Sequence, residues 1–110
     1  MSGKFTVKKD RGGQFVFNLQ ASNGRIILAS ERYKTKRSAL NGIKSIQKNA
    51  GNDKRYDRRT GKNGKLMFCL CAANGEVIGT SQMYAGHSGR NGGIASVKKN
   101  APGASIDDQT

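Results

Sequence analysis

Apolar and polar residues alternate along two stretches of this chain, with Phe15, Phe17, Leu19 and Ala21 marking the first and Leu66, Phe68, Leu70 and Ala72 the second. A period of two is that of a β-strand with one buried face. A shorter strand pattern precedes each stretch, at residues 5–9 and 56–60, and a glycine-containing turn joins them at 10–13 and 61–64. Asn23-Gly24 and Asn74-Gly75 follow. They predict tight hairpins with positive φ at both central residues, leading into third strands at 25–29 and 76–80. The period then changes. Ala39, Ile43, Ile46 and Ala50 recur at i, i+4, i+7 and i+11, which predicts a helix over 36–49 with one apolar stripe. Thr35 is placed to cap its start and Asn49 to terminate it. A second helix, over 88–100, keeps Ile94 and Val97 but contains Gly89, Gly92 and Gly93. Each such glycine costs about 1 kcal/mol against alanine, so this helix is expected to be the weaker one, with a frayed start.

The two halves are copies. A shift of 51 positions superposes Phe15 on Leu66, Asn23-Gly24 on Asn74-Gly75, Ser30 and Tyr33 on Ser81 and Tyr84, and Gly42-Ile43 on Gly93-Ile94, without a gap. A unit of roughly 46 residues is too small to bury a comfortable core alone. The expectation is therefore one α+β domain over 1–110, with repeat one at about 4–53 and repeat two at about 54–110. The two tandem βββα(β) repeats would share one antiparallel sheet, with both helices on one face. Phe15, Phe17, Leu19, Leu66, Phe68, Leu70, Ile43, Ile46, Ile94 and Val97 form the expected core. Gln14, Val16, Asn18, Gln20, Lys65, Met67, Cys69 and Cys71 would line the opposite face, mixed in character and open to solvent. The tail 101–110 reads as a loose end or a short edge strand.

The pattern Ala-x-Asn-Gly-x-x-Ile-x-x-Ser-x-x-Tyr is met at 21–33 and again at 72–84. A helix ending Ile-x-Ser-Val/Ile-x-Lys-Asn-Ala follows at 43–50 and 94–101. Together these segments make the chain resemble the YegP-like family, small bacterial proteins classed as a domain of unknown function. The resemblance covers nearly the whole chain. It implies tandem β3-α-β units assembled into one sheet with swapped terminal strands, residues 54–60 serving both copies and the tail near Ile106 adding a strand. It brings no established activity.

Composition narrows the function classes. No run approaches 18 consecutive apolar residues, so no membrane-spanning helix is expected. Met1 and Ser2 run into the first strand pattern without an apolar leader, which makes the cytoplasm the expected location and a membrane an unexpected partner. Cys69 and Cys71, two apart on a strand, share a face roughly 6–7 Å apart, too far for a relaxed disulfide. Two thiols also fall short of the three or four ligands zinc requires, and His87 is remote in sequence. No cofactor and no metal are expected. With one His, no paired carboxylates on one face and no nucleophile beside a base, the chain does not read as an enzyme.

Charge is the remaining signal. Twenty Lys and Arg against seven Asp and Glu give +13. Residues 1–60 hold 15 basic and 4 acidic side chains (+11), and residues 61–110 hold 5 and 3 (+2). Such asymmetry points to nucleic acid or another polyanion as partner, against the alternative of a merely solvated surface. Arg37, Lys44 and Lys48 project opposite the apolar stripe of the first helix. Arg32, Lys34 and Lys36 precede them, and Lys54, Arg55, Arg58 and Arg59 cluster between the repeats. At the places of Lys34, Lys36, Arg37, Lys44 and Lys48 the second copy has Ala85, His87, Ser88, Ala95 and Lys99, so the basic surface belongs to copy one. These ten residues are the candidate nucleic-acid site, a phosphate-contacting surface without base readout. A protein-interaction module using the open sheet face or a sheet edge is the alternative. The glycine-rich segment 86–93 matches neither a Walker nor a Rossmann spacing, so it is weak as an anion loop. Ser30, Tyr33, Ser81 and Tyr84 read as structural hydroxyls at the strand-to-helix junctions.

Overall fold

The computed structural model describes residues 3–110. Met1 and Ser2, read above as entering the first strand, lie outside the described residues. Seven strands form one sheet in the order β4-β5-β6-β3-β2-β1-β7. They are β1 (Lys4–Lys9), β2 (Phe15–Gln20), β3 (Ile26–Ala29), β4 (Tyr56–Thr60), β5 (Leu66–Cys71), β6 (Val77–Thr80) and β7 (Ser105–Asp108). Helix α1 (Lys36–Asn49) follows β3, and α2 (His87–Asn100) follows β6. The pairing is antiparallel except that β7 runs parallel to β1, so the sheet is mixed rather than purely antiparallel. The tail is thus a strand, and a swapped one. It follows the second copy's helix yet pairs with the first copy's outermost strand. β4, by contrast, is bonded among the described residues to β5 alone and does not serve both copies.

Ala29 pairs with Thr80, its own repeat equivalent, so an approximate two-fold axis passes between β3 and β6. The registers place Phe17, Leu19, Leu28, Gly79, Leu70 and Phe68 on one face of the sheet. Ile43 and Ile46 of α1 and Ile94 and Val97 of α2 join them in a single buried cluster. Each helix also reaches over the axis, α1 packing on β5 and β6 and α2 on β3. Of the expected core only Phe15 is half-buried rather than buried, with the Lys9 ammonium 5.6 Å from its ring centre. Phe5, Val7, Tyr56, Ile27 and Ile78 are additional core members. The short β1 and β4 patterns and the bulged third strands gave these too few positions to show a period.

The motif residues shared by the copies lock each helix to its sheet. Ser30 Oγ accepts from the Phe17 N–H at 2.9 Å and donates to the Glu31 carbonyl at 2.7 Å, and Ser81 does the same with Phe68 and Gln82. Tyr33 stacks on Phe17 and Tyr84 on Phe68, with ring planes 10° and 8° apart. The space these tyrosine hydroxyls occupy is left by Gly42 and Gly93, where a Cβ would collide with them. A glycine in α2 is thus paired with a ring, and the helix begins at His87, one residue before the expected start and as long as α1.

Three local expectations are corrected. Each Asn-Gly hairpin is a type I turn closed by a glycine bulge. Gly24 and Gly75 have φ of 87° and 88°, while Asn23 and Asn74 stay at negative φ and accept from the Arg25 and Glu76 N–H groups. Asn49 does not terminate α1. The cap is Ala50 in right-handed helical geometry, and Asn49 is buried, donating to Ser45 and accepting from Arg55. The sheet face away from the helices is not fully open, because Cys69 is 2% and Thr6 3% exposed. Thr6, Asn18, Ala29, Thr80, Cys69 and Asp57 form one cross-strand row of short side chains. Longer ones flank it, among them Lys8, Val16, Gln20 and Met67. Cys69 and Cys71 are both free thiols, and burial pushes the Cys71 thiol up. No helix among the described residues is long and apolar enough to cross a membrane.

β7 is held by charge as well as by its ladder. Lys4 pairs with Asp107 at 3.8 Å, and Lys36, the first residue of α1, pairs with Asp108. The Lys36 contact, helped by hydrogen bonds from Thr110, holds the Asp108 carboxyl down at about 2. A depressed folded value adds stability above the ordinary aspartate value near 3.9, and this is lost as pH falls from about 4 to about 2. A carboxyl-carbon NMR titration should therefore show Asp108 titrating near 2, and Lys36→Met should move its midpoint back toward the ordinary range. A midpoint near 4 in the unaltered chain would show that the pair does not form.

Candidate polyanion-binding surface

The ten basic residues do not form one patch. They trace α1 from one side of the sheet to the other. α1 begins where Lys36 meets Asp108 of β7 and ends where Asn49 meets Arg55, beside β4 at the opposite edge. Thr35 Oγ1 caps the start by accepting from the Ser38 N–H at 3.0 Å, which fixes the phase of the helix. Packing of Ala39, Ile43 and Ile46 then turns Arg37, Lys44 and Lys48 outward, and all three are exposed. Residues 37, 44 and 48 lie within one narrow stripe and span about 16 Å of helix at 1.5 Å per residue.

The remaining seven divide between the two ends. Arg32 and Lys34 sit on the connection into α1, where Arg32 meets Asp10 at 3.4 Å. Lys54 and Arg55 occupy a 3-10 turn at Asp53–Arg55, and Arg55 Nε donates to Asn49 Oδ1 at 3.0 Å. Arg58 and Arg59 lie on β4 with side chains on opposite faces, and Arg59 donates to Asp57 at 2.8 Å. That hydrogen bond raises the Arg59 value further. Three of the ten, Arg32, Lys36 and Arg59, are therefore matched by carboxylates of the chain itself. The other seven have no acidic partner among the described residues, and the outward stripe of α1 belongs wholly to this group.

The second copy holds a residue that the charge pattern alone hides. Arg90 takes the place of Ala39 on the inner side of its helix and is 8% exposed. Its NH1 donates to the Arg59 carbonyl at 3.2 Å, and NH2 lies 3.1 Å from His87 Nδ1. Its Nε is buried without a partner, and no carboxylate pairs with it among the described residues. The repeat alignment carried the signal: an arginine stands where the other copy has a fully buried alanine.

The model of the family described as Domain of unknown function (DUF1508) matches twice, over residues 10–57 and 62–108. The chain belongs to this family. A UPF0339 protein of Bordetella pertussis is 56% identical over all of this chain and 98% of the relative. The UPF0339 protein YegP of Escherichia coli is 46% identical with both chains fully covered. The solution NMR structure of the E. coli protein superposes with a TM-score of 0.95, covering 100% of this chain and 95% of that one. The structure of a UPF0339 protein of Shewanella oneidensis gives 0.92 at 45% identity, covering 98% and 92%. Both structures are of proteins whose names assign no activity, so family membership establishes the tandem α+β fold and leaves the role unassigned.

Proposed function

We propose that this chain is a cytoplasmic binding protein rather than an enzyme, and that it contacts the phosphate backbone of nucleic acid through the outer face of α1. The observation that carries this reading is the exposed line of Arg37, Lys44 and Lys48, none of which meets a carboxylate among the described residues. Cations spaced along one helix face can contact successive phosphates, and phosphate contacts position a protein without reading bases. Sequence preference should be slight. Only one copy is equipped for this, since α2 has His87, Ser88 and Ala95 where α1 has Lys36, Arg37 and Lys44.

Salt dependence tests the reading. Affinity for duplex DNA should fall as salt rises, with a slope of log K against log salt of about −0.9 per phosphate contacted. Replacing Arg37, Lys44 and Lys48 together with Gln should flatten the slope by up to about three contacts, while the fold survives because these side chains point away from the core. Lys62→Gln with Lys65→Gln, on the β4–β5 turn, should change it less. Absence of binding to duplex and single strands by fluorescence anisotropy at about 50 mM salt would sink the proposal, since this electrostatic attraction is strongest at low salt.

A second reading, an interaction module working through a sheet edge, is favoured by one feature of the topology. β4 has no strand on its outer side among the described residues, whereas β1, its repeat equivalent, is covered by β7.

A further inference from the structure

We infer that the outer edge of β4 together with the first turn of α2 is a docking site for an extended acidic segment of another protein, which adds as a parallel strand. The inference rests on the sheet-edge reading and names the partner's chemistry. The chain supplies its own template. On the equivalent edge, β7 runs parallel to β1, Gln109 N–H donates to the Val7 carbonyl at 2.9 Å, and two consecutive aspartates meet two lysines. Asp107 pairs with Lys4 on the strand, and Asp108 pairs with Lys36 at the start of the helix.

The shift of 51 positions carries that arrangement to the other edge of the sheet. Arg55 stands for Lys4, Tyr56 for Phe5, Arg58 for Val7 and His87 for Lys36. The two lysines that receive the carboxylates on the covered edge are therefore replaced on the open one by the Arg55 guanidinium and the His87 imidazole. The remaining side chains of β4, Asp57 through Thr60, are exposed. Main-chain pairing would supply affinity, as in other cases of strand addition, and the charges would choose the partner.

Arg90 is the independent sign that a carboxylate belongs there. The residue is more than nine-tenths buried, has a buried and unpartnered Nε, and lies against His87, the first residue of α2. α2 has no acidic residue in its first turn, and Gly86 offers no side-chain cap, unlike Thr35 of α1. A buried cation beside the positive end of a helix dipole is an unfavourable pairing of like charge. One carboxylate from a docked strand, placed as Asp108 is placed against Lys36, would bring negative charge close to both. Position 39, its equivalent in the copy whose edge is already covered, is an alanine.

The probe is the peptide of residues 102–110, added in trans to the intact 15N-labelled chain and followed by amide chemical shifts. Saturable shifts at residues 56–60 and 86–90 are expected. A peptide with both aspartates changed to Asn should bind at least about ten-fold more weakly, since hydrogen bonds to charged groups are the stronger kind. Arg55→Glu with Arg58→Glu should abolish binding, and Arg90→Met, which keeps the buried stem, should weaken it. The Arg37, Lys44 and Lys48 triple Gln variant should bind the peptide unchanged, which separates this site from the α1 surface. No saturable shift at millimolar peptide, or shifts centred on β1 from exchange with the resident tail, would overturn both the inference and the sheet-edge reading. Equal affinity for the Asn peptide would overturn the acidic partner and leave the edge reading standing. Concentration-dependent shifts at 56–60 without peptide, reversed by adding it, would make the occupant a second copy of this chain and overturn the assignment to another protein.

Discussion

Residues 1–52 expressed alone are expected to give a narrowly dispersed amide spectrum and no cooperative thermal transition. In the intact chain the first copy shares its core. Among the described residues α1 lies across β5 and β6 as well as β2, β3 finds its second partner only in β6, and β1 finds its outer partner only in β7. Cutting at 52 exposes the Ile43 and Ile46 side of α1, the open side of β3 and the outer side of β1 together. A fragment of that size already buries too small a share of its surface to stand comfortably alone. Mixing it with residues 53–110 should restore dispersion, because the lost contacts lie between the two pieces. A dispersed spectrum from a monomeric 1–52 would show that each copy holds its own core and that the joint sheet is only an association.

The second large effect is expected at the axis. Leu28 is 2% exposed, and its repeat equivalent is Gly79, where an added Cβ would lie 2.6 Å from the Leu28 side chain. The two are same-face neighbours across the β3–β6 seam, and one leucine fills the space. Gly79→Leu should overpack the seam and cost about 1–3 kcal/mol, and Leu28→Gly should empty it and cost about 3–5 kcal/mol. Combining them moves the leucine to the other side of an approximate two-fold axis. The double variant should recover much of the loss, giving a coupling of about 1–3 kcal/mol in a denaturation cycle. Simple addition of the two single effects would mean that the two sides of the seam are not interchangeable, and the symmetric account of the core would fail.

Much of this architecture was legible because the same pattern is written twice. Alternation fixed β2 and β5, the i, i+4, i+7 stripe fixed α1, and the phase of that stripe correctly turned Arg37, Lys44 and Lys48 outward. What escaped depends on partners remote in sequence. Which edge β7 covers leaves no local trace, and its swap onto the first copy was available only as an implication of the family resemblance. The Asn-Gly pairs suit two turn types, and the bulge between Leu19 and Gln20 decides in favour of the one needing positive φ at glycine alone. Asn49 looked like a terminator because asparagine often is one, but its amide is used inside α1 and on Arg55. Cys69 looked half-open because strand period assigns a face and says nothing of how tall the neighbouring side chains are. The candidate surface was legible as charge and as helix phase. Arg90 was visible only by reading the copies against each other for what differs.

The placement of β7 has a consequence for the order of assembly. The β1–β7 pairing joins residue 4 to residue 105, a separation of about 100 residues. Contacts of such long range form slowly, since the entropy of closing the loop is lost before the ladder returns anything. During synthesis at roughly 5–20 residues per second, β1 emerges about 100 residues ahead of β7 and waits several seconds for the strand that covers it. Through that interval its outer backbone groups and Lys4 are open to any extended chain nearby. The nascent protein is therefore most exposed to mispairing at the edge that the finished protein protects best.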